Sequence, residues 1–153
     1  MKLEYGDMWQ IFNITDFFIF TGNSVITRYG RLVMGAGIAL EVKEKIKGID
    51  SVLGKKIAKN REYNFIYVSP KETSIYNTNI GVFQVKYHFK YKAELNLVKR
   101  ATKKLSEVAL AFPDKRFDMN FPAIGYGGLK INEIMPIIKL LPNNVHIWRK
   151  DKI

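Results

Sequence analysis

Residues Phe17, Phe18, Ile19 and Phe20 are apolar without a break. Neighbouring side chains of a strand point to opposite faces, so an unbroken apolar run needs cover on both sides. The chain is therefore expected to hold a central strand with helices above and below it. Short apolar or alternating runs bounded by turn residues predict strands at Lys2–Tyr5, Met8–Asn13, Phe17–Thr21, Asn64–Ser69, Gly81–Lys86, Phe117–Pro122 and Asn144–Trp148. Three segments read as helices. In Ala36–Lys47, Ala39, Val42 and Ile46 share a face, and Gly48 supplies a stop. In Glu94–Phe112, Val98, Ala101, Leu105, Val108 and Phe112 form a stripe, with Pro113 beyond it. The third runs from Asn132, as N-cap, to Leu141, which requires Pro136 to fall in the first turn. Asn60–Tyr63 and Lys71–Asn79 read as loops. Strands alternating with helices predict an α/β fold with a mixed sheet covered on both faces. No repeat or composition break divides residues 1–153, which read as one domain.

Composition removes several classes of function. There is no cysteine, hence no disulfide framework and no cysteine-ligated metal. His88 and His146 are not spaced as a metal pair, and they are expected to be structural; no metal and no cofactor is expected. The N-terminus lacks a secretory apolar stretch, and no run approaches the ~18 apolar residues of a membrane span. A cytoplasmic monomer with no membrane partner is the expectation. Lys and Arg number 25 against 14 Asp and Glu, a net charge of +11. Such a field draws polyanions, whether nucleic acid, phosphorylated ligands or nucleotides, and it fits a generally basic surface equally well.

Two turns have the chemistry of anion sites. After Phe17–Thr21, the residues Met34-Gly35-Ala36-Gly37-Ile38 lead straight into a helix. After Phe117–Pro122, the residues Ile124-Gly125-Tyr126-Gly127-Gly128 precede another. Glycine lets backbone N–H groups approach a ligand, and a helix N-terminus favours negative charge. In α/β sheets ligands sit beyond the carboxyl ends of strands, where both turns fall. Each turn also fits a purely structural role.

Four elements together resemble the macrodomain family. Asp16-Phe17-Phe18-Ile19-Phe20-Thr21-Gly22-Asn23 is similar to its Asp-strand-Asn pattern, and Gly35-Ala36-Gly37-Ile38-Ala39 to its glycine loop. Tyr5-Gly6-Asp7-Met8 resembles its Gly-Asp-Ile element, and Pro122-Ala123-Ile124-Gly125-Tyr126-Gly127 its Pro-x-Ile-Gly-x-Gly phosphate loop. Order and spacing agree over nearly the whole chain. The loops look most like those of the branch containing terminal ADP-ribose glycohydrolase and the antitoxins that reverse DNA ADP-ribosylation.

The resemblance implies a three-layer α/β/α fold and an ADP-ribose cleft. Asp7, beside the Met8 N–H, would take the adenine amino group, and Asn23 the distal ribose hydroxyls. Gly35, Ala36 and Gly37 would line that ribose, flanked by Met34 and Ile38. Gly125, Tyr126, Gly127 and Gly128, following Ile124, would offer N–H groups to the diphosphate. Tyr126 fits a ribose cover and a core aromatic equally. Relatives in that branch attack the anomeric carbon with a lysine, and Lys86 stands where it would fall. An amine attacks only when deprotonated, a state that Lys90, Lys92 and Arg100 as neighbouring cations would favour. The second loop departs from the family: it is about two residues short, and an assisting Asp falls in the gap. Lys130 stands where an acid is frequent, and neither Asp118 nor Glu133 matches the motif.

The expected function is hydrolysis of ADP-ribosyl linkages on a macromolecule, with Lys86 and Asn23 as the catalytic residues. A nucleic-acid carrier would meet Lys99, Arg100, Lys103 and Lys104 through its phosphates. ADP-ribose 1″-phosphate phosphatase and non-catalytic ADP-ribose reader are the alternatives. A basic nucleic-acid-binding protein without an ADP-ribose site is another, since aromatics alternate with lysine in Lys86-Tyr87-His88-Phe89-Lys90-Tyr91-Lys92. The Lys-, Ile-, Asn-, Phe- and Tyr-rich composition suits a bacteriophage or a low-GC bacterium, in the first case acting in host cytoplasm.

Overall fold

A computed structural model describes residues 1–73 and 77–151. Six strands form one sheet: β1 (Lys2–Tyr5), β2 (Phe17–Gly22), β3 (Phe65–Val68), β4 (Asn79–Gln84), β5 (Phe117–Asn120) and β6 (Val145–Arg149). Their spatial order is β1-β6-β5-β2-β4-β3, and only β3 runs antiparallel to its neighbour. The helices are α1 (Gly37–Lys45), α2 (Ile49–Asn60), α3 (Pro70–Thr73), α4 (Leu95–Ala111) and α5 (Ile131–Ile138).

The uninterrupted run in β2 divides between two cores. Phe17 and Ile19 pack with Val98, Ala101 and Leu105 of α4 and with Ile134 and Ile138 of α5. Phe18 and Phe20 face Val42 of α1 and Ile49, Leu53 and Ile57 of α2. The sheet is thus covered on both faces, in the three layers expected.

Several local expectations are corrected. Met8–Asn13 is not a strand. Met8–Ile11 forms a 3-10 turn, because Asp7 caps it by accepting the Trp9 N–H at 3.0 Å. No element was expected between Gly48 and Asn60, yet α2 fills that stretch; Gly48, with φ of 84°, starts α2 rather than ending α1. The third helix begins at Ile131 with Lys130 at its cap, not Asn132, and Glu133 accepts the Lys130 N–H at 2.8 Å. Pro136 lies in its interior, and the helix spans eight residues, ending at Ile138 rather than Leu141; i to i+3 bonds from Leu140 and Leu141 tighten the last turn. Within the expected Lys71–Asn79 loop, Lys71–Thr73 belong to α3, and Ser74, Ile75 and Tyr76 fall outside the described residues. No helix among the described residues is long and apolar enough to cross a membrane.

Candidate active site

Five strands run parallel, so their carboxyl ends gather on one edge of the sheet: Tyr5, Arg149, Asn120, Gly22 and Gln84. The turns leaving them wall a cleft of about 750 Å3.

At one end stands the turn after β1. Gly6, at φ of 122°, donates its N–H to the Arg149 carbonyl at 2.8 Å, which fixes Asp7 beside β6. One oxygen of Asp7 is engaged with Trp9 N–H. Trp9 itself lines the cleft and donates Nε1–H to Glu41 at 3.2 Å. Arg149 lies across from this turn with its guanidinium 5.6 Å from the centre of the Phe121 ring. Its Nη1 is buried without a hydrogen-bond partner among the described residues. A buried cationic donor in that condition is costly unless an acceptor joins it.

The middle of the cleft is framed by the two glycine turns. α1 opens onto it from Ala36 with no side-chain cap and no acid in its first turn, leaving the positive end of the helix unopposed. Gly37 takes φ of 57°, a left-handed value that favours glycine. Opposite, Ala123 takes φ of 65°, a strained value for a residue with a Cβ, and Gly125 takes the same. The 123–129 turn closes on itself: Gly127 N–H bonds Ile124 O, Gly128 N–H bonds Gly125 O, and Leu129 N–H bonds Ala123 O. Gly127 and Gly128 therefore have no free donors for a diphosphate. Among the described residues, the N–H groups of Ala123, Ile124, Gly125 and Tyr126 are the ones the turn leaves over, and the last two lie in its glycine stretch.

Tyr126 is 79% exposed and is not a core aromatic. A Cβ built on Gly37 would lie 3.6 Å from its ring, so the ring reaches across from one glycine turn to the other. Lys86, two residues past β4, donates Nζ–H to the Tyr126 carbonyl at 2.8 Å. Its amine thus sits between β4 and the 123–129 turn, at the lip of the cleft.

Asn23 lines the same end but is occupied by its own loop. Its Oδ1 accepts from Val25 N–H at 2.9 Å and its Nδ2 donates to Val33 O at 3.0 Å. The side chain therefore closes the base of the 24–33 segment and keeps one amide hydrogen beyond the Val33 bond. Nearby, Asn120 accepts the Thr21 N–H at 3.0 Å and donates to Thr21 Oγ1 at 2.9 Å, locking the ends of β2 and β5.

No protein-family profile and no curated protein matches the chain. Solved structures do. The macrodomain of Mycobacterium tuberculosis DarG is similar at a TM-score of 0.73 and 21% identity, over 97% of this chain and 98% of that one. Thermosipho africanus DarTG, solved in complex with ADP-ribose, gives 0.73 and 20%, over 97% of this chain and 41% of that one. The macrodomain of Thermus aquaticus DarG gives 0.69 and 18%, over 99% and 97%.

The chain has the macrodomain fold.

Within this fold, Asp7, Met8, Asn23, Gly35, Ala36, Gly37, Ile38, Lys86, Ile124, Gly125, Tyr126 and Gly127 all border the same cleft. Met34 does not: it is buried in the core beneath α1. Gly128 also stays off the wall, where a Cβ would press on Lys92 at 3.2 Å. Lys99, Arg100, Lys103 and Lys104 belong to α4 and none borders the cleft. Asp118 is wholly buried, held by Arg116 at 2.9 and 3.1 Å and by Trp148 Nε1 at 2.7 Å, and is structural. His88 accepts the Lys90 N–H at 3.1 Å, and His146 pairs with Glu4 at 2.8 Å.

Trp9, Asn120, Phe121, Trp148 and Arg149 are cleft residues that the sequence reading did not name. The first stood in an expected strand. The others sit at the carboxyl ends of β5 and β6, and knowing that those strands adjoin β1 and β2 was the missing signal.

Proposed function

We propose that the cleft binds ADP-ribose and that the protein hydrolyses ADP-ribosyl linkages, with Lys86 supplying the attacking amine. The observation that carries this reading is the Lys86 Nζ, held 2.8 Å from the Tyr126 carbonyl at the lip of a cleft framed by two glycine turns. Thermosipho africanus DarTG, solved with ADP-ribose, has a similar fold, which supports the choice of ligand. Asp7 and Arg149 would hold the adenosine end, the start of α1 and the N–H groups of Gly125 and Tyr126 the diphosphate, and Tyr126 the cover over the distal ribose.

In the chemical step, the deprotonated Lys86 amine attacks C1″ as the C1″–O bond to the carrier breaks. The carrier oxygen keeps that electron pair and takes a proton from water. The amine–ribose adduct loses a proton and opens to an imine, which water hydrolyses to free ADP-ribose and the amine. The +11 charge favours a nucleic-acid carrier over an uncharged one, and the basic face of α4 is a candidate contact for its phosphates.

A non-catalytic reader is the second reading. Among the described residues, the acids bordering the cleft are Asp7, Glu41 and Asp151, none of them in either glycine turn, so none of these carboxylates stands there to assist the amine. Phosphatase chemistry has less support, because the amide of Asn23 that would orient water is bonded to Val25 and Val33.

The test is calorimetric titration of ADP-ribose into the wild type and Lys86→Ala, followed by release of ADP-ribose from a modified oligonucleotide and a modified protein. Binding by both with release by the wild type alone supports the hydrolase. Binding without release by the wild type makes it a reader, and absence of binding ends the proposal.

A further inference from the structure

The segment between β4 and α4 carries an aromatic display that the cleft does not account for. Tyr87, Phe89 and Tyr91 are 45%, 45% and 69% exposed within five residues. His88 lies tilted against two of them, its ring 4.2 Å from Phe89 and 5.6 Å from Tyr91. Tyr63, from the stretch after α2, meets Tyr87 edge-on at 5.2 Å. Lys86, Lys90 and Lys92 are interleaved, and no acid occurs between Val85 and Ala93; Glu72 and Glu94 are the nearest in sequence.

The segment is pinned at its base. Val85 N–H bonds Gly22 O at 2.9 Å, Ala93 N–H bonds Gly127 O at 2.8 Å, and Glu94 N–H bonds Val85 O at 2.9 Å. Folding thus ties both ends down yet leaves the rings outside. Single exposed apolar residues are ordinary, but a cluster of rings edged by cations marks a recognition surface. Flat rings spaced among lysines match a strand whose bases are unpaired: the rings take base faces, the lysines take phosphates. A duplex hides its base faces and an acidic peptide has none, so neither uses the rings.

We infer that the 86–92 segment is a binding surface for single-stranded nucleic acid, laid along the lip of the cleft. Phe89 and Lys86 border both, so a strand held here passes the point where the distal ribose of a bound ADP-ribose would emerge. The surface stands on its own observations. Its service to the cleft rests on the ADP-ribose reading above.

The experiment is fluorescence anisotropy with a labelled 12-nucleotide single-stranded DNA, the RNA of the same sequence, the DNA duplex and a poly-glutamate peptide. Proteins are the wild type, Tyr87→Ala/Tyr91→Ala, Tyr87→Phe/Tyr91→Phe and Lys90→Ala/Lys92→Ala. Single strands are expected to bind in preference to duplex, and the alanine pair at the tyrosines to weaken them at least about tenfold while the phenylalanine pair does not. Loss of both lysines is expected to flatten the salt dependence by about 0.7 log unit for each phosphate contact removed. Melting temperatures exclude unfolding as the cause. Equal binding of duplex and single strand, indifference to the tyrosine changes, or preference for the peptide would each overturn the inference. ADP-ribose titrated into Tyr87→Ala/Tyr91→Ala keeps the two readings apart, since neither tyrosine borders the cleft. Unchanged ADP-ribose affinity with lost strand binding separates the surface from the cleft, and absent ADP-ribose binding in every protein refutes only the cleft.

Discussion

Replacing Asn23 separates its service to the loop from its service to a ligand. The buried amide joins Val25 N–H at 2.9 Å to Val33 O at 3.0 Å, across the base of a ten-residue excursion leading to the glycine turn. Asn23→Ala leaves one donor and one acceptor unpartnered. Each such group costs about 1–3 kcal/mol when buried, and water entering the vacated space recovers part of it, giving about 2–4 kcal/mol. For a chain of this length that corresponds to a fall of roughly 6–12 °C in Tm by scanning calorimetry. Asn23→Asp keeps the acceptor for Val25 but turns a carboxylate oxygen toward the Val33 carbonyl. It is expected to be at least as unstable at neutral pH, with the deficit narrowing in acid, where a protonated carboxyl donates again. ADP-ribose affinity falls in both variants because the glycine turn loses its anchor. A Tm within about 2 °C of wild type in Asn23→Ala, with affinity abolished, would refute this reasoning. The amide would then serve the ligand and not the loop.

Other perturbations follow from single contacts. Gly54→Ala puts a Cβ 2.2 Å from the Gly30 carbonyl oxygen and 2.8 Å from Leu32 N; overpacking of about 1–3 kcal/mol outweighs the helix preference for alanine, and urea unfolding should show a lower midpoint. Asp118→Ala strands the Arg116 guanidinium, whose pKa that hydrogen bond raises above its ordinary value, and frees Trp148 Nε1. A loss of about 1–3 kcal/mol, chiefly from the unpaired Trp148 Nε1–H because Arg116 is half-buried and can turn to solvent, is expected from chemical denaturation followed by tryptophan fluorescence. Arg149→Met removes a buried donor that has no hydrogen-bond partner among the described residues, so stability is expected to hold or rise while ADP-ribose affinity drops about tenfold by calorimetry. With Lys86→Ala, release of ADP-ribose is expected to vanish and binding to persist.

The layers were legible because Phe17–Phe20 has no polar residue to turn toward water, and because the stripe of α4 repeats cleanly over four turns. α2 was not legible, although Ile49, Leu53 and Ile57 keep helical spacing: Gly54 and the flanking lysines dilute the signal, and the need for glycine there comes from Gly30 across the fold. Met8–Ile11 misled for the opposite reason. Its short apolar run suits a strand, but the carboxylate of Asp7 captures Trp9 N–H and winds the backbone the other way. The glycine turns announced themselves because their conformations are local. Arg149 and Asn120 did not, because their place in the cleft depends on β6 and β5 lying between β1 and β2, which no local pattern encodes.

The sheet order also constrains when the cleft can exist. β1 pairs only with β6, Lys2 opposite His146 through Tyr5 opposite Arg149, and the Gly6–Arg149 hydrogen bond extends that pairing into the wall beside Asp7. The earliest strand to leave the ribosome must therefore wait for the latest of the six before it has a partner. Until then β5 is an open edge and the turn carrying Asp7 and Trp9 has nothing to lean on. Contacts this distant in sequence form slowly. A nascent chain can carry both glycine turns and Lys86 and still lack the wall that Asp7, Trp9 and Arg149 form, so the cleft is completed in one step, when β6 docks.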